Sequence, residues 1–443
     1  VPRFAVISAC LLAALAALAA VLLLTGVVKT APVSAALMGL RATLTADAGP
    51  SVASADTQST SAQGPSDWHD PWGAPRRGEA LRAAAVDVDR PTLTDAGYAP
   101  LRQAIAMYRE IVAWGGWAPI PPGRPLKAGL RDADRVPLLR TRLIATGDLG
   151  STGGDAAFFD DRLTRAVQRF QARHGLRQDG VVGRRTLEAL NVSAQTRLAG
   201  LERNLERLLK LSDGLGHRYV FVNIAGQELE AVRDGRVERR HRVVIGTKER
   251  QTPAYESQIT FLAFNPYWHV PRTIAEEDIL PLARYDPQYL SRLNMRLYRR
   301  DGWVEVDPAT IDWRTFTPGA YVLRQEPGAR NALGTVKIHF PNPHAVYLHD
   351  TPSKRLFGNH IRAHSSGCVR VEDAHALTAW LLSAQGWDRA RVDAMVAAGT
   401  RKDVRLQEAV PIYLIYLTAW VDAYGVVNFR DDIYDRDRLQ ATL

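Results

Sequence analysis

The 443-residue chain has only two cysteines, and one of them, Cys10, lies inside an N-terminal apolar run. No intrachain disulfide can be drawn, so an oxidising compartment would leave Cys368 as a free thiol, a liability unless it does chemistry. A Walker loop, an RNP aromatic pattern and paired Cys/His fingers are also missing. Nucleic acid therefore has no motif to support it, and no nucleic-acid partner is expected, although the formal charge is +9 and the pI near 9.6. The basic excess suits anionic lipid or an acidic cell-wall polymer instead. There is no HExxH and no CxxC, so a zinc peptidase would rest on the crowd His339, His344, His349, His360 and His364 alone. His339 and His349 could share a strand face while His344 could not, and a soft metal would silence the thiol. No metal and no cofactor are expected.

What is present begins with Phe4–Val28, 25 residues without a charge between Arg3 and Lys29. As a helix it would run about 37 Å at ~1.5 Å per residue, enough to span a bilayer with tilt. The competing reading is a cleaved signal peptide with Val33-Ser34-Ala35 as the cleavage site, although the run exceeds the usual h-region. Either way the chain is expected to be exported. Residues 31–78, rich in Ala, Ser, Thr, Gly, Pro and Asp, read as a flexible linker.

Helical spacing then sets in at Tyr98, Leu101, Ile105, Tyr108 and Val112, and Gly115-Gly116 ends it. Leu139, Leu143, Leu163, Val167, Phe170, Leu187 and Leu190 mark a compact helical module with tight turns at Asp179-Gly180 and Val182-Gly183. His174 reads there as a turn or capping residue. Leucines 198, 201, 205 and 208 describe one more amphipathic helix. From Tyr219 the period changes to two, through Tyr219–Ile224, Glu228–Val232 and Arg242–Gly246, then Ile259–Asn265, Val336–Phe340 and Ala345–His349. Residues 276–315 interrupt these strands and read as an inserted cap. Pro411–Val421, turned at Asp422–Gly425 into Val426–Phe429, predicts a terminal hairpin that closes the sheet.

The chemistry concentrates between Tyr347 and Val371. In a strand ending at His349, Tyr347 and His349 point to one face. Nineteen positions later comes Cys368, preceded by Ser366-Gly367. Glycine permits a sharp turn, the N–H groups of Gly367 and Cys368 can face a carbonyl oxygen, and an imidazole can take the thiol proton. The pair is chemically sufficient for acyl transfer. His364, four residues from the thiol, is an alternative base, while His269, His360 and His375 read as surface or loop residues.

Two resemblances follow from quoted residues. The run Ala166–Leu176 with Asp179–Gly183 and Thr186–Asn191 resembles the three-helix peptidoglycan-binding domain over about 55 residues. His349 with Ser365-Ser366-Gly367-Cys368-Val369-Arg370 resembles the YkuD-type L,D-transpeptidase domain, whose pattern is a histidine, then Ser/Thr-His-Gly-Cys after a spacer. Ser366 stands where most members have histidine, and Arg370 where many have Asn or Arg. With Asn265–Pro271, Arg330–Gly334 and the cap, the likeness to large Gram-negative members covers roughly 98–430. It implies an α+β fold: a β-rich YkuD-type catalytic domain with an inserted cap, a three-helix peptidoglycan-binding domain and an N-terminal transmembrane helix.

The organisation so read is an anchor or signal segment over 1–30, linker 31–78, helical scaffold 79–135, binding domain 136–195, linking helix 196–215, catalytic domain 216–403 with its cap at about 276–325, and hairpin and tail 404–443. The resemblance further implies that Cys368 attacks tetrapeptide stems at meso-diaminopimelate–D-Ala, with His349 as base and the Asp350 carbonyl orienting the imidazole. A second stem's amine then gives a 3→3 cross-link. Arg370, Tyr347, Ser366 and Trp268 are the expected substrate contacts. Implied partners are peptidoglycan stems and glycan, the inner membrane through the N-terminal helix, and carbapenem-type β-lactams as inhibitors, at a periplasmic location. The alternatives are a non-catalytic peptidoglycan-binding scaffold and an L,D-carboxypeptidase on the same stems.

Overall fold

The computed structural model describes residues 91–93, 98–150, 154–211, 214–286, 288–312, 318–422 and 424–437. The Phe4–Val28 run and the 31–78 linker lie outside them. Among the described residues no helix is long and apolar enough to cross a membrane.

Period-two patterning builds a nine-stranded sheet. Its strands are β1 (Arg218–Asn223), β2 (Glu228–Arg233), β3 (Arg236–Gly246), β4 (Tyr255–Phe264), β9 (Val336–His339), β10 (Leu348–His349), β11 (Ala363–Ser365), β12 (Val369–Val371) and β13 (Lys402–Ile415). The order is β11-β3-β12-β10-β9-β4-β13-β1-β2, and β3 also pairs with β2, so the sheet curls back on itself. β1 carries Val220 and Val222 into one core, with Ile259, Leu262, Ile338 and Leu348. Its alternate residues Tyr219 and Phe221 enter a second core under the helices Tyr98–Ala113 and Ala194–Leu209.

The C-terminal hairpin does not close the main sheet as expected. A hairpin does form between β14 (Ala419–Val421) and β15 (Val427–Phe429), but as a separate two-stranded sheet that closes nothing. The apolar run before it belongs to β13, a central strand parallel to β1 and antiparallel to β4. Ile412 and Leu414 face the first core, Tyr413 and Ile415 the second. A strand buried on both faces is apolar throughout, so its run carries no alternation to announce it.

The inserted cap contains strands as well as helical chain. β5 (Trp268–His269), β6 (Met295–Arg299), β7 (Glu305–Val306) and β8 (Tyr321–Gln325) form a four-stranded sheet in the order β5-β8-β6-β7. Between β5 and β6 runs helical chain with a π-turn at Ala275–Ile279. Pro281 lies just beyond, and it lacks the N–H that an α-helix would send back to the Glu277 carbonyl.

Three helices, Arg135–Ala145, Asp161–Arg173 and Arg184–Asn191, bury Leu139, Leu143, Leu163, Val167, Phe170 and Leu190 in a core of their own. The Asp160 carboxylate starts the second by accepting from Leu163 N–H (2.7 Å). His174 caps its end, with Nδ1 on the Phe170 carbonyl (2.8 Å). Its ring is stacked between Phe170 and Phe429, centroids 3.8 and 5.4 Å away.

Burial, then the Arg173 and Arg197 charges, hold His174 well below the ordinary histidine range. Unfolded, it protonates near ~6.5, so below that pH the unfolded chain binds more protons and stability falls with acidification. Thermal unfolding followed by circular dichroism should give a midpoint that drops from pH 7 to 5. His174→Phe, which keeps the stack but cannot titrate, should flatten that slope; an unchanged slope would rule out His174 as its source.

Candidate active site

Sheet register sets one row of side chains. Antiparallel pairing puts His349 of β10 opposite Lys337 of β9, and parallel pairing puts it opposite Arg370 of β12. Paired residues point to the same face, so an ammonium, an imidazole and a guanidinium stand side by side. The Tyr347 ring lies 5.7 Å from that of His349, edge to face.

Cys368 arrives on a turn fixed from several directions. The Ser365 hydroxyl donates to the Cys368 carbonyl (2.5 Å) and its oxygen accepts from Gly367 N–H (3.2 Å). Gly367 has φ +111°, which L side chains avoid. Its carbonyl accepts from Thr252 Oγ1 (2.8 Å), and that same oxygen accepts from Gly246 N–H (2.9 Å). Tyr434, from the C-terminal tail, accepts from Thr252 N–H (3.2 Å) and donates to the Gly246 carbonyl (2.7 Å).

The half-buried thiol lies 3.9 Å from the Ala345 carbonyl. Burial pushes it up; the main-chain N–H and phenol of Tyr347, and then the Lys337 and Arg370 charges, pull it back. Burial, then the Arg370 charge, hold His349 down to about 3, so near neutrality the imidazole is an uncharged base. A carbonyl can only accept, so the bond between His349 Nδ1 and the Asp350 carbonyl puts the ring proton on Nδ1 and leaves Nε2 its lone pair. Among the described residues no hydrogen bond joins His349 to Cys368; both border one cavity of about 620 Å³.

Behind the imidazole, the Asp350 carboxylate accepts from Thr335 N–H (3.1 Å), Thr335 Oγ1 (2.9 Å) and Lys354. Thr335 Oγ1 also meets His375 Nε2 (2.7 Å), whose Nδ1 meets Asp393 (2.7 Å). Gly334, at φ +62°, gives the carboxylate room that a Cβ would fill. On the cavity side, Arg250 binds Glu277 (2.6 Å) and Asp278 (2.5 Å) of the cap and donates to Ser366 Oγ (3.0 Å), tying cap to turn. Arg370 has no carboxylate partner among the described residues, and its Nε is buried without a hydrogen bond.

A thiol and an uncharged imidazole on one face of a curled sheet, under a cap, are the setting for comparison with known proteins. Residues 217–401 match the family YkuD, described as "L,D-transpeptidase catalytic domain". Those residues form a YkuD-type catalytic domain. Residues 132–190 match the family described as "Putative peptidoglycan binding domain".

A "Putative L,D-transpeptidase" of Haemophilus influenzae is 38% identical over 239 residues, 54% of this chain and 48% of that protein. The chain thus spans about half the length of that curated relative. Solved L,D-transpeptidases from Xylanimonas cellulosilytica (18% identity, 66% of this chain, 98% of that one, TM-score 0.22) and Stackebrandtia nassauensis (15%, 67%, 97%, 0.25) are more distant, and at those scores the superpositions carry no argument.

Within the YkuD domain, Cys368, His349, Tyr347, Arg370, Ser366 and Trp268 all line the same cavity. Asp350 presents its carbonyl to His349. Gly367 departs from the sequence reading, because its N–H is held by Ser365 Oγ instead of facing the cavity. His364, the alternative base, is exposed and its Nε2 meets the Asn359 amide and the Ile361 carbonyl (3.1 Å each). His339 stacks on Phe261 and His344 meets the Tyr255 ring edge to face, and no group of three metal-binding side chains assembles among the described residues.

His375 is no bystander: it sits half-buried in the chain behind Asp350. Sequence reasoning also passed over Thr252, Tyr434, Thr335, Arg250 and Lys337. Alternation along β9 was the one available signal for Lys337, since Val336 and Ile338 point to the core and leave Lys337 on the His349 side.

Thr252→Val preserves shape but orphans Gly246 N–H and the Gly367 carbonyl, each buried. An orphaned group costs about 1–3 kcal/mol. Urea unfolding should show a loss of that size, together with slower alkylation of Cys368; full stability with unaltered alkylation would mean the hydroxyl does not hold the turn.

Proposed function

We propose that the chain is an L,D-transpeptidase that forms 3→3 cross-links in peptidoglycan through a cysteine thioester. The observation that carries this reading is the cavity holding Cys368, an uncharged His349 and an unpaired Arg370 together. His349 Nε2 takes the thiol proton, and Cys368 Sγ attacks the carbonyl between meso-diaminopimelate and D-Ala of a tetrapeptide stem. The oxyanion is assigned to Cys368 N–H, since Gly367 N–H is already bonded to Ser365.

Collapse breaks the C–N bond, and the departing D-Ala amine takes the proton back from His349. A second stem's side-chain amine then attacks the thioester; His349 accepts its proton, and the thiolate leaves and is reprotonated. Arg370 receives a substrate carboxylate, while Trp268 and Tyr347 wall the donor stem and Ser366 borders it. The same thiol would attack the β-lactam carbonyl of a carbapenem, breaking the ring C–N bond, with the ring nitrogen taking the proton from His349. The proposed location is the periplasm, with Phe4–Val28 as an inner-membrane anchor or a cleaved leader.

Mass spectrometry of products from disaccharide-tetrapeptide tests this. The expected product has twice the substrate mass less one D-Ala, and is absent with Cys368→Ala. His349→Ala should lower the rate by roughly 10²–10⁴-fold, and Arg370→Gln should chiefly raise KM. Loss of D-Ala without dimer would make the chain an L,D-carboxypeptidase; no reaction at all would favour a wall-binding scaffold.

A further inference from the structure

The proposed mechanism gives no task to Lys337, although its register makes it a direct neighbour of His349. It is half-buried, and among the described residues its ammonium makes no ion pair and no hydrogen bond. The nearest acid it feels across the sheet, Asp403, is already bound to Arg401 (2.8 Å). A lysine placed for stability would ordinarily hold a carboxylate or reach water. Lys337 instead lays its Nζ on the face of Tyr347, 4.1 Å from the ring centroid, and Tyr347 lines the same cavity as Cys368 and belongs to the cluster the cysteine packs against.

Two consequences follow from that geometry. A cation on the ring face is attracted to the ring's negative quadrupole, which fixes the ring in the cavity wall it shares with Cys368. The same charge acts on the sulfur through little water, so it favours the anion over the neutral thiol. Arg370 flanks His349 from the other side but is left open toward the cavity, where a substrate carboxylate would neutralise it. Lys337 is screened from the cavity by Tyr347 and keeps its charge when substrate enters.

We propose that Lys337 is a positioning residue for the nucleophile: its ammonium clamps Tyr347 against Cys368 and sustains the thiolate through the catalytic cycle. The inference rests on Cys368 being the reacting thiol. The charged and titratable groups facing this locus are His349 and Asp350 from β10 and the residue after it, Tyr347, Arg370 from β12, His339 from β9, His269 from β5, and the Arg401–Asp403 pair at the start of β13. Substitution of Lys337 leaves each of them in place.

The test is the pH dependence of Cys368 alkylation by iodoacetamide in the full chain, read by intact mass. Lys337→Met keeps the aliphatic stem and removes the charge, and should slow alkylation near neutral pH about tenfold, with its midpoint moved about one pH unit upward. Lys337→Arg restores a cation over the ring and should recover most of the rate. Lys337→Gln provides a second neutral variant should the methionine protein fold poorly, with near-ultraviolet circular dichroism as the check. Wild-type titration in the neutral variants, or an arginine variant as slow as the methionine one, would overturn the proposal. Alkylation needs neither stem nor acceptor, so failure to form cross-links would count against the proposed function and leave this result independent of it.

Discussion

The hydroxyl of Thr252 holds together what the thiol needs. It donates to the Gly367 carbonyl and accepts from Gly246 N–H, so one buried oxygen joins the end of β3 to the turn that presents Cys368. Gly367 is thereby kept at a positive φ, and Tyr434 braces the same threonine from the C-terminal tail. In the proposed mechanism Cys368 N–H meets the oxyanion, and such a donor is effective only if it does not have to reorganise. Here that rigidity comes from residues more than a hundred positions before the cysteine and some sixty after it.

Electrostatics around the thiol are arranged by burial more than by counter-charge. Lys337, His349 and Arg370 lie in one row across three strands, yet no carboxylate enters the row. Burial, and then the Arg370 charge beside it, make a positive imidazole unfavourable, which is why His349 remains neutral far into acid. The cost falls on the thiol, which burial pushes up, and the offset is local, from Tyr347 and then from the Lys337 and Arg370 charges. Asp350, the nearest carboxylate, is turned away into the Thr335–His375–Asp393 chain and meets His349 only through its main-chain carbonyl.

How far the sequence could be read depended on whether a signal was local. His349 and Cys368 stand out because a strand ending in histidine and a glycine before cysteine are visible over a few residues. Helical spacing at Leu139, Leu143, Leu163, Val167, Phe170 and Leu190 identified the members of a real core. β13 was misread because both of its faces are buried, and the cap strands because Met295–Arg299 and Tyr321–Gln325 are too short to show a period. Thr252, Tyr434 and Lys337 act only through partners distant in sequence. Gly367 shows a subtler limit: the sequence says which residue can turn, but not that Ser365 will claim its N–H.

The three-helix module is joined to the C-terminal hairpin by a contact between segments far apart in sequence. His174 is sandwiched between Phe170 of its own helix and Phe429 of β15. Arg173 donates to the Val427 carbonyl (3.3 Å), and Arg430 donates to the carbonyl of Arg173 (3.1 Å). Arg173 is meanwhile held by Asp148 in a buried pair (2.6 Å), so the module's interior is bound to its own edge. β15 precedes Tyr434 by only a few residues, and Tyr434 braces Thr252. One short C-terminal segment therefore packs against the three-helix module at one end and supports the Cys368 turn at the other, so a displaced hairpin would loosen both. Such a segment must keep its length and its apolar anchors even though it contributes no side chain to the cavity.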